Sequence, residues 1–490
     1  MGSGRETPAR FFSPPRLDIH RLTDASWTVF DSIASSSRLR VSSELATGST
    51  FAMATVSNSP SAFDGHHPPS TDIVDKCVHC GFCLPVCPTY VLWGQEMDSP
   101  RGRIYLMKLA AEGAAQINPP WVSHFDRCLG CMACMSACPS GVDYGKLIEA
   151  TRAQIERNFK RPSGEKRHRH FLFETFTRPD RLHRLRTPLL AYQKSGLQAF
   201  VRGFGIVKLL PKKWQTMEAL LPKLAPREAV REVTPAAGSK RRRVGLLLGC
   251  VQREFFSPVN AATARVLAAE GCEVVAPQAQ TCCGALLVHA GEESAAIELA
   301  KKTIDAFEQA NVEAIVTNAA GCGSNIKQYG HLLRDDPQYA ERAQRFAASC
   351  KDISEVLTEL EPRCERHPLK LRVAFHDSCH LLHAQGVRLQ PRALLASVPG
   401  LELAELPESA ICCGSAGIYN LVEPDAAQSL GDRKANLISQ LKADVVVTGN
   451  PGCILQLQAA LARGHQKTPV VHTIELLDAS LRGQPFDCFR

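Results

Sequence analysis

The second half of the chain alternates short apolar runs with amphipathic segments, and it does so twice. Strands are predicted at 244–249, 273–276 and 314–317 in the first copy and at 373–377 and 445–448 in the second. After the first strand, a pattern of helical period runs from Asn260 to Glu270, with Asn260 as its N-cap and Gly271 as its C-cap. Apolar strands that alternate with helices are typical of parallel β-α-β units whose sheet is covered on both faces. We therefore expect two repeated α/β domains.

Each copy of the repeat carries cysteines at matching positions. A Cys-Cys-Gly sequence begins 32 residues after Cys250 in the first copy and 33 residues after Cys379 in the second. Because these cysteines follow predicted strands, their thiols are expected at the carboxyl edge of the sheet, where α/β proteins bind ligands. Adjacent thiols before a glycine suit a cluster-binding turn better than an apolar core. The candidate ligands of an additional iron–sulfur centre are Cys250, Cys282, Cys283, Cys322, Cys379, Cys412, Cys413 and Cys453.

A buried structural thiol is the alternative for each of these residues, because free cysteine is often buried. We accept this interpretation for the cysteines without a repeat partner, which are Cys272, Cys350, Cys364 and Cys488. Twenty cysteines in 490 residues, many at metal-ligand spacing, indicate a reducing compartment.

The first half of the chain contains the strongest motif, Cys-x2-Cys-x2-Cys-x3-Cys-Pro, in two copies. Three thiolates at this spacing hold three corners of an iron–sulfur cube, and in two-cluster ferredoxins the fourth cysteine ligates the neighbouring cluster. The motif thus predicts two [4Fe–4S] clusters. The first ferredoxin set consists of Cys77, Cys80, Cys83 and Cys138. The second ferredoxin set consists of Cys128, Cys131, Cys134 and Cys87.

Two other uses of these cysteines are weaker. Structural zinc prefers two separated pairs of ligands, and disulfides are disfavoured because no secretory signal precedes the motifs. Between the motifs, a helix should begin at Pro100 and end at Gly113, so the module should be largely helical. At the start of this helix, Arg101 and Arg103 either donate hydrogen bonds near a cluster or face solvent, and the sequence leaves both open.

Length and composition set the domain organisation. A chain of 490 residues is too long for one core. Its apolar content of 44% and charged content of 22% are those of a soluble globular protein. The sequence contains no apolar run of membrane-spanning length. We expect an α+β multidomain protein with a helical two-cluster ferredoxin module followed by two repeated α/β Cys-Cys-Gly domains. The predicted segments are a disordered tail at 1–70, the ferredoxin-type domain at 71–155, a basic helical linker at 156–240, and Cys-Cys-Gly domains at 241–365 and 366–490. Acidic residues in the tail argue against a transit peptide, and Met53 is an alternative start.

The predicted linker carries most of the positive charge. Ten Lys and Arg against three Asp and Glu give residues 157–186 a local charge of +7, beside +8 for the whole chain. A nucleic-acid patch is one interpretation. A solvated linker or a docking face for an acidic partner is favoured over it, so no nucleic acid is expected. The apolar residues of 188–224 suit helices packed on a neighbour, which we prefer, or an interfacial helix on anionic lipid.

The double ferredoxin motif followed by two Cys-Cys-Gly repeats resembles the iron–sulfur subunits of bacterial flavin-linked hydroxy-acid dehydrogenases. Within that group the chain is most similar to glycolate oxidase (glycolate dehydrogenase) iron–sulfur subunits. The resemblance covers about residues 71 to 480. The segments that carry it are CVHCGFCLPVCPTY at 77–90, SPRGRIYLMK at 99–108, DRCLGCMACMSACPSGV at 126–142, NAATARVL at 260–267, CGSNIKQYG at 322–330, LHAQ at 382–385 and CCGSAGIY at 412–419.

One departure concerns the end of each repeat. The related heterodisulfide reductase B subunit ends each repeat with a Cys-x-x-Cys, whereas here Ala319 and Asn450 stand three residues before the single Cys322 and Cys453. Each repeat therefore offers four thiols, and the family's cluster is not carried over to it. Three histidines near Cys379 are candidates for a further ligand or for structural roles: His376, His380 and His383.

The resemblance implies an electron-transfer subunit. FAD-containing glycolate dehydrogenase subunits would oxidise glycolate to glyoxylate, and this chain would relay electrons to quinone or another acceptor. Flavin is expected on the partner subunits only and no catalytic residue on this chain, so it should not be active alone. An iron–sulfur subunit of anaerobic glycerol-3-phosphate or lactate dehydrogenase is the nearest alternative, and a zinc-binding regulatory module is a distant one. The expected location is the cytoplasm, with peripheral contact to the cytoplasmic face of the inner membrane left open.

Overall fold

The computed structural model of the protein describes residues 60–485. The predicted disorder of 1–59 and the prediction for Cys488 lie outside these residues. Residues 60–70, which the sequence assigned to the tail, lie against the ferredoxin module, where Phe63 is buried beside Trp121. Within 60–485, no helix combines the length and the hydropathy needed to cross a bilayer.

The ferredoxin module is helical, as the sequence predicted. Ser99 caps its longest inter-motif helix, since the Ser99 hydroxyl accepts a hydrogen bond from Gly102 N at 3.0 Å and Pro100 opens the first turn. Gly113 follows the helix end in a left-handed conformation. The helices are α1 (Thr71–Val74), α2 (Pro88–Trp93), α3 (Pro100–Ala111), α4 (Pro119–Asp126), α5 (Ala133–Ser136) and α6 (Tyr144–Asn158), with a 3-10 turn at Glu96–Asp98. Their core is formed by Ile104, Met107, Trp121, Phe125, Leu147, Ile148 and Ile155.

The linker is also helical, and much of its positive charge is bound within the protein. Arg161 bonds to Asp126 and Glu156, both at 2.8 Å, and the buried Arg186 donates to Glu254 O at 2.6 Å. A purely solvated linker is therefore the wrong description of this segment. Its helices are α7 (Ser163–Phe176), α8 (Pro179–Lys194), α9 (Leu197–Gly203) and α10 (Lys212–Ala219), with a 3-10 turn at Ile206–Leu209.

The preferred prediction for 188–224, packing on a neighbour, holds only in part. Helix α8 packs on the helix Val251–Phe255, and α10 packs on the helices Tyr419–Val422 and Pro424–Leu441, but much of the apolar surface stays open. Helices α9 and α10 bury no residue, and Phe204 and Leu209 expose 75% and 84% of their surface. These apolar side chains stay exposed because few other elements of residues 60–485 cover the two short helices. The exposed apolar linker surface consists of Leu197, Phe200, Phe204, Ile206, Leu209, Leu210 and Trp214.

The first repeat is a five-stranded sheet with the strand order β1-β3-β2-β4-β5, in which only β1 is antiparallel. Its strands are β1 (Val233–Thr234), β2 (Arg242–Leu246), β3 (Cys272–Val275), β4 (Ala314–Thr317) and β5 (Cys350–Asp352). Its helices are α11 (Val251–Phe255), α12 (Ser257–Ala269), α13 (Ala285–Val288), α14 (Glu293–Glu308), α15 (Ala320–Ile326), α16 (Tyr329–Leu332), α17 (Ala340–Ser349) and α18 (Ile353–Glu359).

The second repeat is a four-stranded parallel sheet with the strand order β7-β6-β8-β9. Its central pair repeats the register of the first copy, because Val373 lies opposite Val445 as Val244 lies opposite Ala314. Its strands are β6 (Leu371–Phe375), β7 (Leu401–Glu405), β8 (Val445–Thr448) and β9 (Val470–His472). Its helices are α19 (Leu389–Ala396), α20 (Tyr419–Val422), α21 (Pro424–Leu441), α22 (Pro451–Arg463) and α23 (Thr473–Leu481), with a π turn at His380–Ala384.

The two repeats share one apolar core. Strand residues of the first sheet and of the second belong to the same buried set, and α12 packs on α23 between them. This shared core holds the two sheets, and therefore their carboxyl edges, in a fixed relative position. The predicted fold class is confirmed by this arrangement and by the domain matches given below.

Candidate iron–sulfur centres and the cavity between them

The structure gathers the first ferredoxin set around one small cavity. Cys77, Cys80, Cys83 and Cys138 all line it, and Cys134 lies in the same wall. The loop that carries the first three thiols turns through two left-handed residues, His79 (φ 54°) and Gly81 (φ 88°). Left-handed backbone brings thiols two residues apart onto the inside of a tight loop, so the motif's spacing is realised as a nest of converging side chains.

The second motif has the same backbone. Gly130 (φ 60°) and Met132 (φ 63°) occupy the positions equivalent to His79 and Gly81. Met132 is a non-glycine residue in the left-handed region, as is His79, so each loop carries one strained position. The two loops share their cysteines but differ in the residues between them, and both have left-handed backbone at the same two positions. The cysteines therefore determine the shape of the loop.

The second ferredoxin set is the more buried of the two. Cys87, Cys128 and Cys131 are almost fully buried. Burial first, and then the charges of Cys131, Cys128, Cys87 and Cys83, raise the pKa of Cys134, so cysteines of both motifs lie near it. Cys138 of the second motif lines the cavity of the first loop. This position agrees with the crossed pairing, and the division of the ligands between two clusters stays a prediction.

Two arginines differ in their role beside these loops. Arg103 is buried: its Nε donates to His124 O at 2.6 Å, and its Nη1 donates to Thr89 Oγ1 at 3.1 Å. Arg101 is partly exposed and donates to His79 O at 2.9 Å within the first loop. Of the two alternatives left open by the sequence, the structure places both side chains as donors near the loops.

The thiol Cys128 has a perturbed acidity. Burial works to raise its pKa, but the guanidinium charges of Arg103 and Arg152 outweigh burial and hold the pKa below its ordinary value. Tyr144 Oη lies 3.6 Å from Cys128 Sγ, and Gly130 N donates to that sulfur at 3.4 Å. Because the thiolate is the metal-binding form, these contacts favour ligation at Cys128.

The spacing of the thiols fits a cluster better than a single ion. In a tetrahedral zinc site four sulfurs lie about 3.8 Å apart, given Zn–S bonds of about 2.3 Å. Among residues 60–485, the only group with three ligand atoms within 4.8 Å of one another is His66, His67 and Glu293, which contains no cysteine. The thiols of each ferredoxin set therefore stand too far apart to hold a single ion together. An iron–sulfur cube is wider than one ion and takes thiolates that stand further apart, so this separation agrees with a cube.

The Cys-Cys-Gly turns bring each repeat's four cysteines together. Cys250 Sγ lies 3.4 Å from Cys282 Sγ in the first repeat, and Cys379 Sγ lies 3.9 Å from Cys412 Sγ in the second. Gly414 has φ 93°, and a Cβ there would stand 2.6 Å from Ala427 O, so only glycine fits. The remaining members sit beside them, because the Cys322 thiol is a hydrogen-bond partner of Cys283 and the Cys453 thiol is one of Cys413.

These thiols perturb one another. Hydrogen bonds from the Cys379 and Cys413 thiols hold the pKa of Cys412 well below its ordinary value, while the neighbouring Cys412 and Cys453 raise the pKa of Cys413 well above it. Four buried thiols cannot all ionise side by side without a compensating positive charge. A bound metal centre would supply that charge, and thus the residues fit one.

The candidate histidines divide into two kinds. His380 Nδ1 pairs with Ser324 Oγ at 2.8 Å and its Nε2 with Gly130 O at 2.9 Å, and both nitrogens of His383 are likewise bonded, to Ser136 and Ala410. Both side chains are therefore occupied in joining the repeats to the second ferredoxin loop. His376 alone keeps a buried nitrogen without a partner in the described part of the chain, and burial lowers its pKa to about 3.

Two further residues support the thiols, and the sequence analysis missed them. Asn450 Nδ2 donates to Cys453 Sγ at 3.6 Å, and Arg152 donates to His289 O at 2.7 Å and to the carbonyl oxygen of Cys128. Asn450 had been noted only as the residue that replaces a cysteine. Arg152 looked like an ordinary surface position of a helix, because its partners are distant in sequence.

One cavity of about 600 Å³ connects these sites. Its thiol wall contains Cys128 of the second ferredoxin set and seven of the eight repeat cysteines, all except Cys413. Its opposite wall belongs to the linker, through Phe171, Leu185, Leu189, Trp214, Met217, Leu220 and Leu221. By contrast, Cys272 and Cys350 lie in strands, inside apolar cores, and Cys364 donates to Ala269 O at 3.2 Å.

Comparison with known proteins first defines a class. Residues 73–142 match the model of the 4Fe-4S dicluster domain, and residues 244–327 and 373–458 match the model of the cysteine-rich domain. The protein is therefore an iron–sulfur protein built from a dicluster ferredoxin module and two cysteine-rich domains. Residues 164–221 match the model described as the linker region of the glycolate oxidase iron–sulfur subunit.

Full-length relatives then define the family. The chain is 42% identical to the probable glycolate oxidase iron–sulfur subunit of Bacillus subtilis (strain 168), over 82% of this chain and 93% of that protein. It is 38% identical to the glycolate oxidase iron–sulfur subunit of Escherichia coli (strain K12), over 84% and 94%. The chain belongs to the glycolate oxidase iron–sulfur subunit family. Lactate utilization protein A of Oceanobacillus iheyensis is 31% identical but aligns with only 49% of this chain.

Proposed function

We propose that this chain is the electron-transfer subunit of a glycolate dehydrogenase, which takes electrons one at a time from a flavin-bearing partner and passes them to an acceptor. The observation that carries the proposal is the convergence of Cys77, Cys80 and Cys83 with Cys138 of the second motif on one small cavity. Flavin chemistry removes two electrons from a hydroxy acid together, and a chain of one-electron carriers is needed to deliver them singly. Membership of the glycolate oxidase iron–sulfur subunit family supports glycolate as the substrate of the assembled enzyme.

The first and second ferredoxin sets would each hold one [4Fe–4S] cluster, and the eight repeat cysteines would hold an additional centre. When bound, such a cluster supplies one-electron redox chemistry. Arg101 orients the first loop through His79 O, and Arg103 fixes the helix that precedes the second loop through His124 O. Hydrogen bonds to the sulfurs and burial are the means by which a protein sets cluster potentials, and Cys128 receives both.

The oxidation of glycolate itself is assigned to FAD-containing partner subunits. A hydroxy-acid site needs a cation for the carboxylate and a base for the hydroxyl proton. The two arginines in the wall of the cavity are already engaged, Arg152 by backbone carbonyls and Arg169 by Glu156 at 2.9 Å. The isolated chain should therefore show no glycolate activity.

We also propose peripheral contact with an anionic membrane surface through the exposed apolar linker surface. Exposed lysines, among them Lys194 and Lys208, lie among its aromatic and aliphatic side chains. Apolar residues interleaved with basic ones are typical of segments that lie in the membrane interface. Quinone, which dissolves in that membrane, is the acceptor that this position favours.

The test is anaerobic purification with the flavoprotein partners, followed by metal analysis and addition of glycolate. Iron with acid-labile sulfide and bleaching of the visible absorbance by glycolate are expected, whereas zinc alone would refute the proposal. Bleaching by lactate or sn-glycerol-3-phosphate but not by glycolate would refute glycolate as the substrate and would favour the alternative, a lactate or glycerol-3-phosphate dehydrogenase.

A single substitution tests the first ferredoxin set. Cys80→Ser should lose or convert one cluster, so that the iron content falls by about one to four atoms per chain relative to the wild-type protein. Cys364→Ser is the matched control, since Cys364 lies outside both sets and its hydroxyl replacement can keep the hydrogen bond to Ala269 O. Equal iron contents in the two variants would contradict the assignment of Cys80.

A further inference from the structure

The cavity has two chemically different halves. Thiols of the second ferredoxin set and of both repeats form one wall, while the linker contributes side chains of Leu, Phe, Trp and Met type. The linker side offers no thiolate, imidazole or carboxylate to a metal centre. A centre held by the thiols therefore leaves the linker half without an assigned occupant.

Two polar groups stand in this wall with unused hydrogen-bonding capacity. Tyr419 is buried, and its hydroxyl has no hydrogen-bond partner within residues 60–485. His289 Nδ1 pairs with Glu149 Oε1 at 3.0 Å, and its buried Nε2 has no partner in the same range. Both residues line the cavity. Buried polar atoms are rarely left unpaired. The Tyr419 hydroxyl can donate to a ligand oxygen, whereas His289 Nε2 accepts a hydrogen bond in the neutral ring, because the proton on Nδ1 faces Glu149. A ligand whose carbonyl oxygen accepts from Tyr419, and whose reduced form donates a hydroxyl proton to His289, suits both atoms.

Resting on the proposed electron-transfer function, we propose that this cavity is the acceptor site, which binds a lipophilic quinone with its ring near Tyr419 and His289 and its tail between the linker helices. Of the cavity volume of about 600 Å³, a metal centre would fill the part beside the thiols. The remaining part, with mostly apolar walls and a few polar groups, is typical of a site for a small organic molecule. A quinone presents two carbonyl oxygens as acceptors and an apolar tail, and it matches both halves of the wall.

The position also suits the electron route. Cys128 and Cys412 line the same cavity as Tyr419, and Tyr419 packs in one buried cluster with Cys131 and Cys412. A quinone ring there takes up two electrons, one at a time, from the iron–sulfur centres and two protons from water, and leaves as the hydroquinone. The electrons come from the oxidation of glycolate on the partner subunits.

The mouth of the cavity faces the exposed apolar linker surface. Trp214 belongs to both, because it lines the cavity and exposes about half of its surface. A quinone that diffuses in lipid would reach Trp214 and Leu189 before it reaches the thiols. A charged or strongly hydrated acceptor would find little compensation along this entrance, since the linker lining is apolar apart from Thr175 and Arg169, and Arg169 is already paired with Glu156.

The kinetic test uses the full-length holoprotein, reduced chemically with dithionite, so that the flavoprotein partners are not needed. Excess reductant is removed, a short-chain ubiquinone is added in lipid-free solution, and the return of the visible absorbance is followed. Tyr419→Phe should slow reoxidation about fivefold, as expected for the loss of one hydrogen bond. Leu189→Trp, which fills the entrance, should slow it at least as much. Reoxidation by ferricyanide, which needs no cavity, should be unchanged in both variants.

The matched control is Leu209→Ser, which removes an apolar side chain of the same linker outside the cavity lining. It should leave the reaction with the short-chain quinone unchanged. Equal quinone rates in the wild-type protein and in the Tyr419→Phe and Leu189→Trp variants would overturn the proposed site. Failure of glycolate to bleach the clusters with the partners present would instead overturn the proposed function, and the two failures are distinct because dithionite bypasses glycolate.

Binding is measured without turnover. The oxidised quinone should quench the tryptophan fluorescence of the oxidised protein in a saturable manner, and Trp214→Phe should remove the saturable part. Leu189→Trp should shift saturation to higher quinone concentration by about tenfold or more, consistent with a blocked entrance. Saturable quenching that survives Trp214→Phe unchanged would place the quinone elsewhere and refute the proposal.

Discussion

Replacing Arg103 by methionine should destabilise the ferredoxin module by about 3 kcal/mol. The arginine is 1% exposed and donates to Asp98 O at 2.7 Å and to His124 O at 2.6 Å, while Asp98 is itself fully buried. Arg103 Nη2 and Asp98 Oδ1 lie 3.3 Å apart and form a buried ion pair. Removing one partner of such a pair costs about 3–5 kcal/mol, because the other charge is left without compensation. Asp98 keeps His124 at 2.9 Å and Arg127 at 3.3 Å, and we therefore expect the lower end of that range. Methionine retains most of the apolar volume, so the loss measures charge and hydrogen bonds.

Anaerobic urea unfolding of the holoprotein, followed by circular dichroism and by the visible absorbance of the clusters, measures this loss. Arg101→Met is the matched control, two residues away on the same helix. Arg101 pairs with the half-exposed Glu96, and an exposed pair is worth about 0–1 kcal/mol. Arg103→Met/Asp98→Asn should recover part of the loss, because the second change removes the uncompensated charge. A loss below about 1 kcal/mol for Arg103→Met, or no difference from the control, would refute the structural role of the buried pair.

Three further outcomes are expected. Cys412 shares a buried cluster with Cys131 of the second ferredoxin set, whereas the equivalent Cys282 does not. Cys412→Ser should therefore alter the electron paramagnetic resonance spectrum of the cluster in that set, and Cys282→Ser should not; identical spectra in the two variants would contradict the contact between Cys412 and Cys131. Burial lowers the pKa of His472 to about 4, so the folded protein resists a proton that the unfolded chain binds below about pH 6.5. Stability should therefore fall as the pH drops from 6.5 toward 4, and His472→Asn should lose about 3 kcal/mol less across that window in urea unfolding; equal pH profiles would show that His472 is not responsible. Anionic vesicles should bind the protein more tightly than zwitterionic ones, and Phe204→Ser with Leu209→Ser should weaken this binding without changing the unfolding midpoint; an unchanged partition would exclude the linker as the contact.

The parts of the site that are local in the sequence could be predicted. Thiol spacing predicts a tight loop, and the structure forms it in both motifs through left-handed residues at equivalent positions. The same holds for Gly414, because a turn that places adjacent thiols needs a residue without a side chain. Strands β4 and β8 also begin and end where they were predicted, at four-residue runs that are apolar and β-branched and are buried on both faces.

The parts that depend on distant contacts could not be predicted. Asn260 was placed as the N-cap of α12, but the helix begins at Ser257 and Asn260 is buried within it. Its amide donates to Leu248 O at 3.0 Å and accepts from Asn318 at 2.8 Å, which ties the ends of β2 and β4 together. Asparagine suits a cap and a buried polar network equally well, and only the tertiary structure decides between them.

The linker shows the same dependence on tertiary structure, but here residues that were predicted to be buried are exposed. Its apolar side chains were assigned to a packed interface, because burial is the usual reason for such a composition. The structure instead leaves most of α9 and α10 uncovered and uses a few of the same residues, among them Trp214 and Leu189, as the wall of a cavity. Composition reports that a surface avoids water, and it does not report what will cover that surface.

The two repeats have nearly equivalent cysteine patterns, but they have different neighbours: the second repeat adjoins the ferredoxin module and the first adjoins the linker. In the second repeat, Cys379 and Cys412 share a buried contact set with Cys131 of the second ferredoxin loop. In the first repeat, Cys250 and Cys282 pack with Leu182 of the linker instead. A centre in the second repeat would thus adjoin the ferredoxin module, while the first repeat adjoins the helices that form the entrance of the cavity. Duplication supplied two similar thiol turns, and the shared core that joins the sheets places one at the inner end of the cavity and the other toward its mouth.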